Sequence, residues 1–329
     1  MKRAGNLMVE IADRENLALA FWKAQKGKRA QPETIRFREN LEPELARLRS
    51  ALLEGPLGLG PYRSFTVHDP KERVICAAPF QDRVLHHAVM NVCHGSFEAY
   101  QVYDSYACRV GKGTHKAVDR ARAFAGRHRY YLKLDIRRYF DSIDHKILKR
   151  QMRCRFKDRR LIEILDAIIG SYETAPGKGL PIGNLTSQYF ANHYLGALDH
   201  FVKETLRCRG YVRYMDDFVL WDDDRGQLKA WRNEIGAWLA ETLRLEIKPD
   251  CLNRCGAGMT FLGYRVFPAS VTLARRSRVR FRRKMTAAHE EYLSGEWSEA
   301  EAARHVEPLI AFVRHGCCEG MRRRVLARL

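Results

Sequence analysis

Two adjacent carboxylates, Asp216 and Asp217, follow Tyr214-Met215 and stand between two short apolar runs, Tyr211-Val212-Arg213 and Phe218-Val219-Leu220-Trp221. That pattern predicts strand, turn and strand, with a pair of acids at the tip. Hard divalent cations suit such a tip, because Mg²⁺ takes one or two carboxylates together with substrate phosphates. A second segment supplies a third acid. Tyr130 to Asp135 reads as a buried strand ending in Asp135, followed by Ile136-Arg137-Arg138-Tyr139-Phe140. Three carboxylates from two neighbouring strand ends are what two-metal phosphoryl transfer requires. Side chains alternate along a strand, so Asp216 and Asp217 are expected to point different ways, Asp216 at the ions and Asp217 at the periphery. Turn chemistry alone would explain Asp-Asp. It does not explain Asp135, which beside Asp216 makes a costly like-charge pair unless cations lie between them.

The charge balance points the same way. The chain has 329 residues, of which 58 are Lys or Arg and 39 Asp or Glu, a formal charge of +19. A surplus of that size implies a polyanionic partner. No apolar run approaches the 18 or so residues of a membrane span, and no signal-peptide pattern opens the chain. Nucleic acid is therefore the expected partner and the cytoplasm the expected location, with no membrane association. Nine cysteines show neither disulfide-like nor zinc-site spacing, and most are expected to be reduced, buried or half-buried thiols. His86-His87 is expected to be structural.

Helical spacing marks Leu17 to Ala24 and a second helix carrying Phe37, Leu41, Leu45, Leu48 and Leu52. Ser64–His68 and Arg73–Ala78 read as a hairpin around Asp69-Pro70. Asp82 is expected to cap the next helix and Asp144 another that starts at His145. Leu161–Ile169 gives one more. Pro181-Ile182-Gly183-Asn184 reads as a turn, after which Thr186 or Ser187 opens a long helix. Another helix carries Leu228 to Leu239, and Phe261 to Val266 reads as a closing strand or hairpin arm. The last third is basic and helical, with seven basic residues in the ten from Arg275 to Lys284. Few, scattered strands fit a small antiparallel sheet with helices on one face, an α+β class.

Taken in order, Lys133-Leu134-Asp135 with Phe140, Leu180-Pro181-Ile182-Gly183-Asn184-Leu185-Thr186-Ser187-Gln188, Tyr214-Met215-Asp216-Asp217 and Phe261-Leu262-Gly263-Tyr264 resemble the motifs of a prokaryotic reverse transcriptase, from about Lys71 to Tyr264. Most reverse transcriptases carry Gln-Gly and Ser-Pro where this chain has Ile182-Gly183 and Ser187-Gln188. That variant resembles the enzymes of diversity-generating retroelements, as do Lys71 to Ile75, Asp82 to Ala88 and Tyr106 to His115.

The resemblance implies a right-hand polymerase with a small antiparallel palm sheet. N-terminal helices and fingers would occupy 1–125, the palm 126–270 (with part of the fingers in 145–180) and a basic helical thumb 271–329. It implies an RNA-directed DNA polymerase that copies a retroelement template RNA into error-prone cDNA, mutagenised at template adenines. Asp135, Asp216 and Asp217 match the carboxylates that hold two Mg²⁺ ions, and a backbone carbonyl near Ile136 adds a ligand. Phe140 matches the steric gate against a ribose 2′-hydroxyl. Arg73 matches the residue that holds the incoming triphosphate, where an Arg fork suits phosphate oxygens. Ile182 and Gly183 match the turn beside the incoming nucleotide, and Lys248 a lysine near the triphosphate. Phe261, Leu262, Gly263 and Tyr264 match the primer grip. Arg275, Arg276, Arg278, Arg280, Arg282 and Arg283 are expected to contact RNA. Template RNA, a cDNA primer strand, deoxynucleotides and a small basic accessory protein are the implied partners. The 65 residues after Tyr264 are expected to hold a thumb, without maturase, endonuclease or ribonuclease H domains. The alternatives are another domesticated bacterial enzyme of retron, phage-defence or intron origin, or a catalytically dead RNA-binding scaffold.

Overall fold

The structure is a computed structural model that describes residues 3–68 and 72–327. The turn expected at Asp69-Pro70, with Lys71 and the terminal Arg328-Leu329, lies outside the described residues. Among the described residues nine strands form three antiparallel sheets. β1 (Arg63–Val67) pairs with β2 (Arg73–Ala77). β3 (Tyr130–Asp135), β4 (Gly210–Tyr214), β5 (Asp217–Asp222) and β6 (Cys251–Arg254) form a sheet in the order β4-β5-β3-β6. β7 (Met259–Phe261), β8 (Tyr264–Val266) and β9 (Val271–Leu273) form the third. Helices make up most of the remainder, so the class is α+β. Among the described residues no helix is long and apolar enough to cross a membrane.

The chain divides into two compact units, each assembled from three stretches. The first comprises Met1–Tyr103, Ile136–Phe201 and Ile235–Lys248 and is mainly helical. The helices Arg14–Ala24 and Phe80–Glu98 pack along each other, and Phe21, Phe37 and Phe80 form an aromatic cluster with ring centroids 5.3 to 6.0 Å apart. The single helix expected over Phe37 to Leu52 is two, Pro32–Glu39 and Leu41–Leu53, interrupted at Asn40. Asp82 does not cap its helix. It is the third residue inside Phe80–Glu98, behind Pro79, and its carboxylate accepts the Gly60 N–H at 2.9 Å. Asp144 does cap the helix His145–Arg155, accepting the Ile147 N–H at 3.1 Å. The helix expected from Thr186 or Ser187 opens at Leu185 and runs to Tyr194, then continues as Gly196–His200 and a π-turn, Phe201–Thr205.

Two buried imidazoles make this unit sensitive to acid. His86 and His193 are each 2% exposed, and the Nδ1 of each has no hydrogen-bond partner. Burial, with nearby cationic side chains adding to it (Arg155 for His193), pulls both down to about 3 from the ordinary 6.5. Below pH 6.5 the unfolded chain therefore binds protons that the folded chain refuses. Stability is complete above that pH and is lost as pH falls toward 3, at about 1.4 kcal/mol per pH unit for each group. His193→Phe, between Phe97 and Tyr100, should remove one group's share. Urea midpoints taken over the range from neutrality to mild acid, where carboxylates still hold their charge, would show a shallower fall for the variant; parallel curves would refute the assignment.

The second unit comprises Asp104–Asp135, Val202–Glu234 and Pro249–Leu329. Tyr131, Val212, Val219 and Trp221 share one face of its four-stranded sheet and pack in one core with Ala117, Val118, Ala121 and Phe124 of the helix Thr114–Ala125. Three helices, Arg275–Leu293, Glu299–Arg314 and Glu319–Leu326, follow the third sheet. All nine cysteines are free; Cys76, Cys93, Cys208, Cys255 and Cys318 are buried, as expected for most of them, while Cys108, Cys154, Cys251 and Cys317 are exposed.

Candidate active site

The three carboxylates lie in the second unit, at one end of the β4-β5-β3 sheet. Antiparallel register sets Asp217 opposite Tyr214 on one side and Asp135 on the other. Residues opposed in this way share a face, with Cβ atoms about 4.5–5.5 Å apart. Lys133, two residues before Asp135, lies on the same face by strand alternation. Met215 and Asp216 form a two-residue loop between β4 and β5. Asp216 is thus a loop residue, and strand alternation does not orient it. Asp217 is not peripheral to the sheet: it is the strand residue in register with Asp135, and all three acids are half-buried. Met215 has φ +56°, a left-handed conformation costing a side-chain-bearing residue about 1–2 kcal/mol.

The electrostatics of this end are crowded. Lys133 Nζ lies 3.1 Å from Asp217 Oδ2, while Asp217 Oδ1 is buried without a hydrogen-bond partner. Burial raises Asp217 to about 7; the Lys133 ammonium opposes the rise, and Asp135 and Asp216 add to it. Among the described residues no three acidic, imidazole or thiol side chains converge as a ready-made metal cage. The donor set nevertheless suits a hard cation: it is all oxygen, it carries an orphaned carboxylate oxygen, and its mutual repulsion would be relieved by positive charge. Sequence reasoning gave Lys133 no role, although its spacing from Asp135 was a readable signal.

Arg73, Phe140, Ile182, Gly183 and Lys248 belong to the first unit, as does Ile136. Within it, the Ile182 turn is stitched to the strand that starts at Arg73. The Cys76 N–H of β2 donates to the Ile182 carbonyl at 2.8 Å. The Asn184 amide donates to the Cys76 carbonyl at 2.9 Å and accepts the Ala78 N–H at 3.2 Å. Asn184, at the start of the helix, is therefore committed to β2 rather than to its own helix. Gly183 has φ +116°, and a Cβ there would stand 2.6 Å from Ile75 Cγ2, so only glycine lets the turn approach β2 this closely. Arg73 is exposed at the strand start, and Ile182 is half-buried. Asn184 was missed from sequence because a turn asparagine reads as local.

Phe140 is half-buried in a single helical turn, Tyr139–Ser142, entered through Arg138 at φ +42°. Its carbonyl accepts the Leu180 N–H at 2.9 Å, and the Tyr139 hydroxyl donates to the Ala191 carbonyl. Ile136 is fully buried and bridges Ile247, next to Lys248.

In the second unit, Phe261 and Tyr264 are fully buried, and the Tyr264 hydroxyl donates to the Phe312 carbonyl at 2.6 Å. Leu262 (φ +48°) and Gly263 (φ +88°) make the two-residue turn between β7 and β8, and of the four residues Phe261 to Tyr264 these two are half-buried rather than buried. Arg275, Arg276, Arg278, Arg280, Arg282 and Arg283 are all exposed on the helix Arg275–Leu293, which buries Phe281, Met285 and Ala288 instead. Arg275 and Arg278 also line a cleft of about 640 Å³ with Arg265 and Arg324.

Comparison with known proteins places this arrangement. A family model described as reverse transcriptase (RNA-dependent DNA polymerase) matches residues 68–266. Protein YkfC of Escherichia coli strain K12 is 25% identical over 276 residues, which cover 69% of this chain and 72% of YkfC. The group II intron-encoded protein LtrA of Lactococcus lactis subsp. cremoris is 25% identical over 170 residues, 49% of this chain and 28% of LtrA. Among solved structures, the telomerase of Candida albicans in complex with a TWJ fragment of telomeric RNA aligns over 88% of this chain and 61% of its own, with a TM-score of 0.50 and 11% identity. A C-terminally truncated apo telomerase of Candida tropicalis aligns over 65% and 55%, with a TM-score of 0.51 and 15% identity. The chain therefore spans little more than a quarter of LtrA and under two thirds of these telomerase chains. At such identities the structural likeness establishes the fold, a right-hand polymerase.

Proposed function

Because the chain belongs to the reverse transcriptase (RNA-dependent DNA polymerase) family, we propose that it is an RNA-directed DNA polymerase that copies a retroelement template RNA into error-prone cDNA. The observation that carries this reading is the in-register pair Asp135 and Asp217 with Asp216 in the adjoining turn. The primer 3′-hydroxyl attacks the α-phosphate of a deoxynucleotide, a P–O bond forms, and pyrophosphate leaves. Two Mg²⁺ ions would supply charge neutralisation at the attacking and leaving oxygens. Asp135, Asp216, Asp217 and the Ile136 carbonyl would hold them; Mg²⁺ commonly completes its shell with substrate phosphates, so a full protein cage is not required beforehand. Lys133, paired with Asp217 in the metal-free protein, would yield that carboxylate to bound ions.

The remaining residues bind and orient. Arg73 pairs with the triphosphate, Phe140 excludes a ribose 2′-hydroxyl, and Lys248 protonates the leaving group. Leu262 and Gly263, at the tip between Phe261 and Tyr264, meet the primer strand. In this scheme 1–125 supply the N-terminal helices and fingers, 126–270 the palm and 271–329 the thumb, with part of the fingers in 145–180. A structured template RNA and a small basic accessory protein complete the assembly, in the cytoplasm of a prokaryotic or phage-infected cell.

The finer assignment, to a diversity-generating retroelement, rests on Ile182-Gly183 and Ser187-Gln188. An isoleucine beside the nucleotide offers apolar contact only, whereas a glutamine can hydrogen-bond and stiffen the pairing geometry. About 1.4 kcal/mol of transition-state difference changes a selectivity ratio tenfold. Ile182→Gln is expected to lower misincorporation opposite template adenine severalfold, and more than opposite other bases. Sequencing cDNA made by both proteins on one RNA tests this; equal adenine error frequencies would remove Ile182 from fidelity control. The 25% identity to LtrA favours a second reading, an intron-derived enzyme with ordinary fidelity, in which wild-type errors show no bias toward adenine.

A further inference from the structure

We propose that Arg213 is a positioning residue that holds the Met215-Asp216 turn in its working geometry. The inference rests on the polymerase reading above. Arg213 lies in β4, one residue before Tyr214, and is fully buried. A buried guanidinium is costly unless its N–H groups are hydrogen-bonded. Its cross-strand partner is Phe218, so packing alone would be satisfied by an apolar side chain. Where its donors go is the informative point. Nη1 donates to the carbonyl of Met215 at 3.1 Å, and Nη2 donates to Ser105 Oγ at 3.1 Å.

Met215 is the turn residue with φ +56°. Its carbonyl belongs to the peptide that joins it to Asp216, so a bond to that oxygen fixes the plane of the peptide entering Asp216. Left-handed backbone at a residue other than glycine persists only where its surroundings over-determine it, and the guanidinium is one such constraint. Strand alternation places Tyr214, Asp217 and Asp135 on one face and Arg213 on the other. The turn is thus gripped from the sheet face opposite Asp135 and Asp217.

The grip is itself anchored. Ser105 bridges Arg213 in parallel, the Arg213 N–H donates to the Asp104 carbonyl at 3.0 Å, and the Tyr106 N–H donates to the Arg213 carbonyl at 2.9 Å. Asp104 is 3% exposed, and its carboxylate accepts from Arg120 Nε at 2.9 Å and Lys203 Nζ at 3.0 Å. A chain of contacts therefore runs from Arg120 and Lys203 through residues 104–106 to the turn. Lysine cannot replace arginine here, because a single ammonium lacks the planar fork that reaches two acceptors in fixed directions.

The test compares the full-length wild type with Arg213→Lys and Ser105→Ala. Folded state is followed by circular dichroism and thermal midpoint, Mn²⁺ affinity by electron paramagnetic resonance on protein with annealed primer–template, and kcat and KM by primer extension. Arg213→Lys is expected to weaken Mn²⁺ binding severalfold and to lower kcat on the order of tenfold to a hundredfold, the scale of a misplaced reacting group, with the KM for deoxynucleotide close to wild type. Ser105→Ala should move both in the same direction, less far, and it decides the question if Arg213→Lys does not fold. The proposal is overturned if folded variants keep wild-type Mn²⁺ affinity and kcat, or if kcat falls only with the folded fraction. A wild type that binds Mn²⁺ but extends no primer overturns the polymerase reading instead, and the Mn²⁺ comparison still judges Arg213.

Discussion

Asp216→Ala is expected to reduce Mg²⁺-dependent nucleotide addition at least about a thousandfold, the scale of losing several kcal/mol of charge stabilisation at the transition state. The folded state should survive the change. Asp216 occupies a turn between β4 and β5, not the core, and it adds to the repulsion that raises Asp217. Removing it relieves the metal-free protein. RNA affinity should also be unchanged, because the basic surface lies elsewhere in the chain. Single-turnover primer extension, paired with RNA binding and a thermal midpoint, separates these effects. Near wild-type extension by a variant that binds RNA normally would sink the two-metal assignment, whereas loss of RNA binding along with activity would indicate a damaged fold.

Neutralising Arg278, Arg280, Arg282 and Arg283 to glutamine is expected to weaken binding to all RNAs alike. All four side chains are exposed on the helix Arg275–Leu293, which buries Phe281, Met285 and Ala288 instead. Phosphate contacts carry no base information, so sequence preference should persist while affinity falls. Each lost contact removes about 0.7–0.9 from the slope of log affinity against log salt, so between 50 and 200 mM salt the wild type should lose on the order of a hundredfold more affinity than the variant. An unchanged slope would assign this helix to a protein partner or to solvent.

The chemistry-bearing residues were legible without the fold because they sit in short local patterns. Asp135 closes an apolar run, Asp216-Asp217 breaks another, and the period of two on either side predicted β3, β4 and β5 within a residue of their observed bounds. Asp144 likewise capped as expected, because capping is decided by the next three backbone amides. Asp82 also looked like a local cap and Asn184 like a turn residue, yet tertiary partners claimed them: the Gly60 N–H for one, Cys76 and Ala78 for the other. Residue type shows that a side chain can accept a hydrogen bond, not which of several donors reaches it first.

Composition and motif order by themselves determined the basic character, the α+β class and the family resemblance that the comparison with known sequences established. Tertiary structure alone decided the register that sets Asp217, rather than Asp216, opposite Asp135, since a strand sequence does not state where its partner begins and one residue of slip reverses every face. It also decided that Lys133 meets Asp217, that Phe261 and Tyr264 serve the core while only Leu262-Gly263 emerges, and that Arg213 turns inward to the Met215 carbonyl. Each of these is a pairing across many residues of chain, and such pairings are selected by the total burial and hydrogen bonding of the folded unit rather than by any local preference.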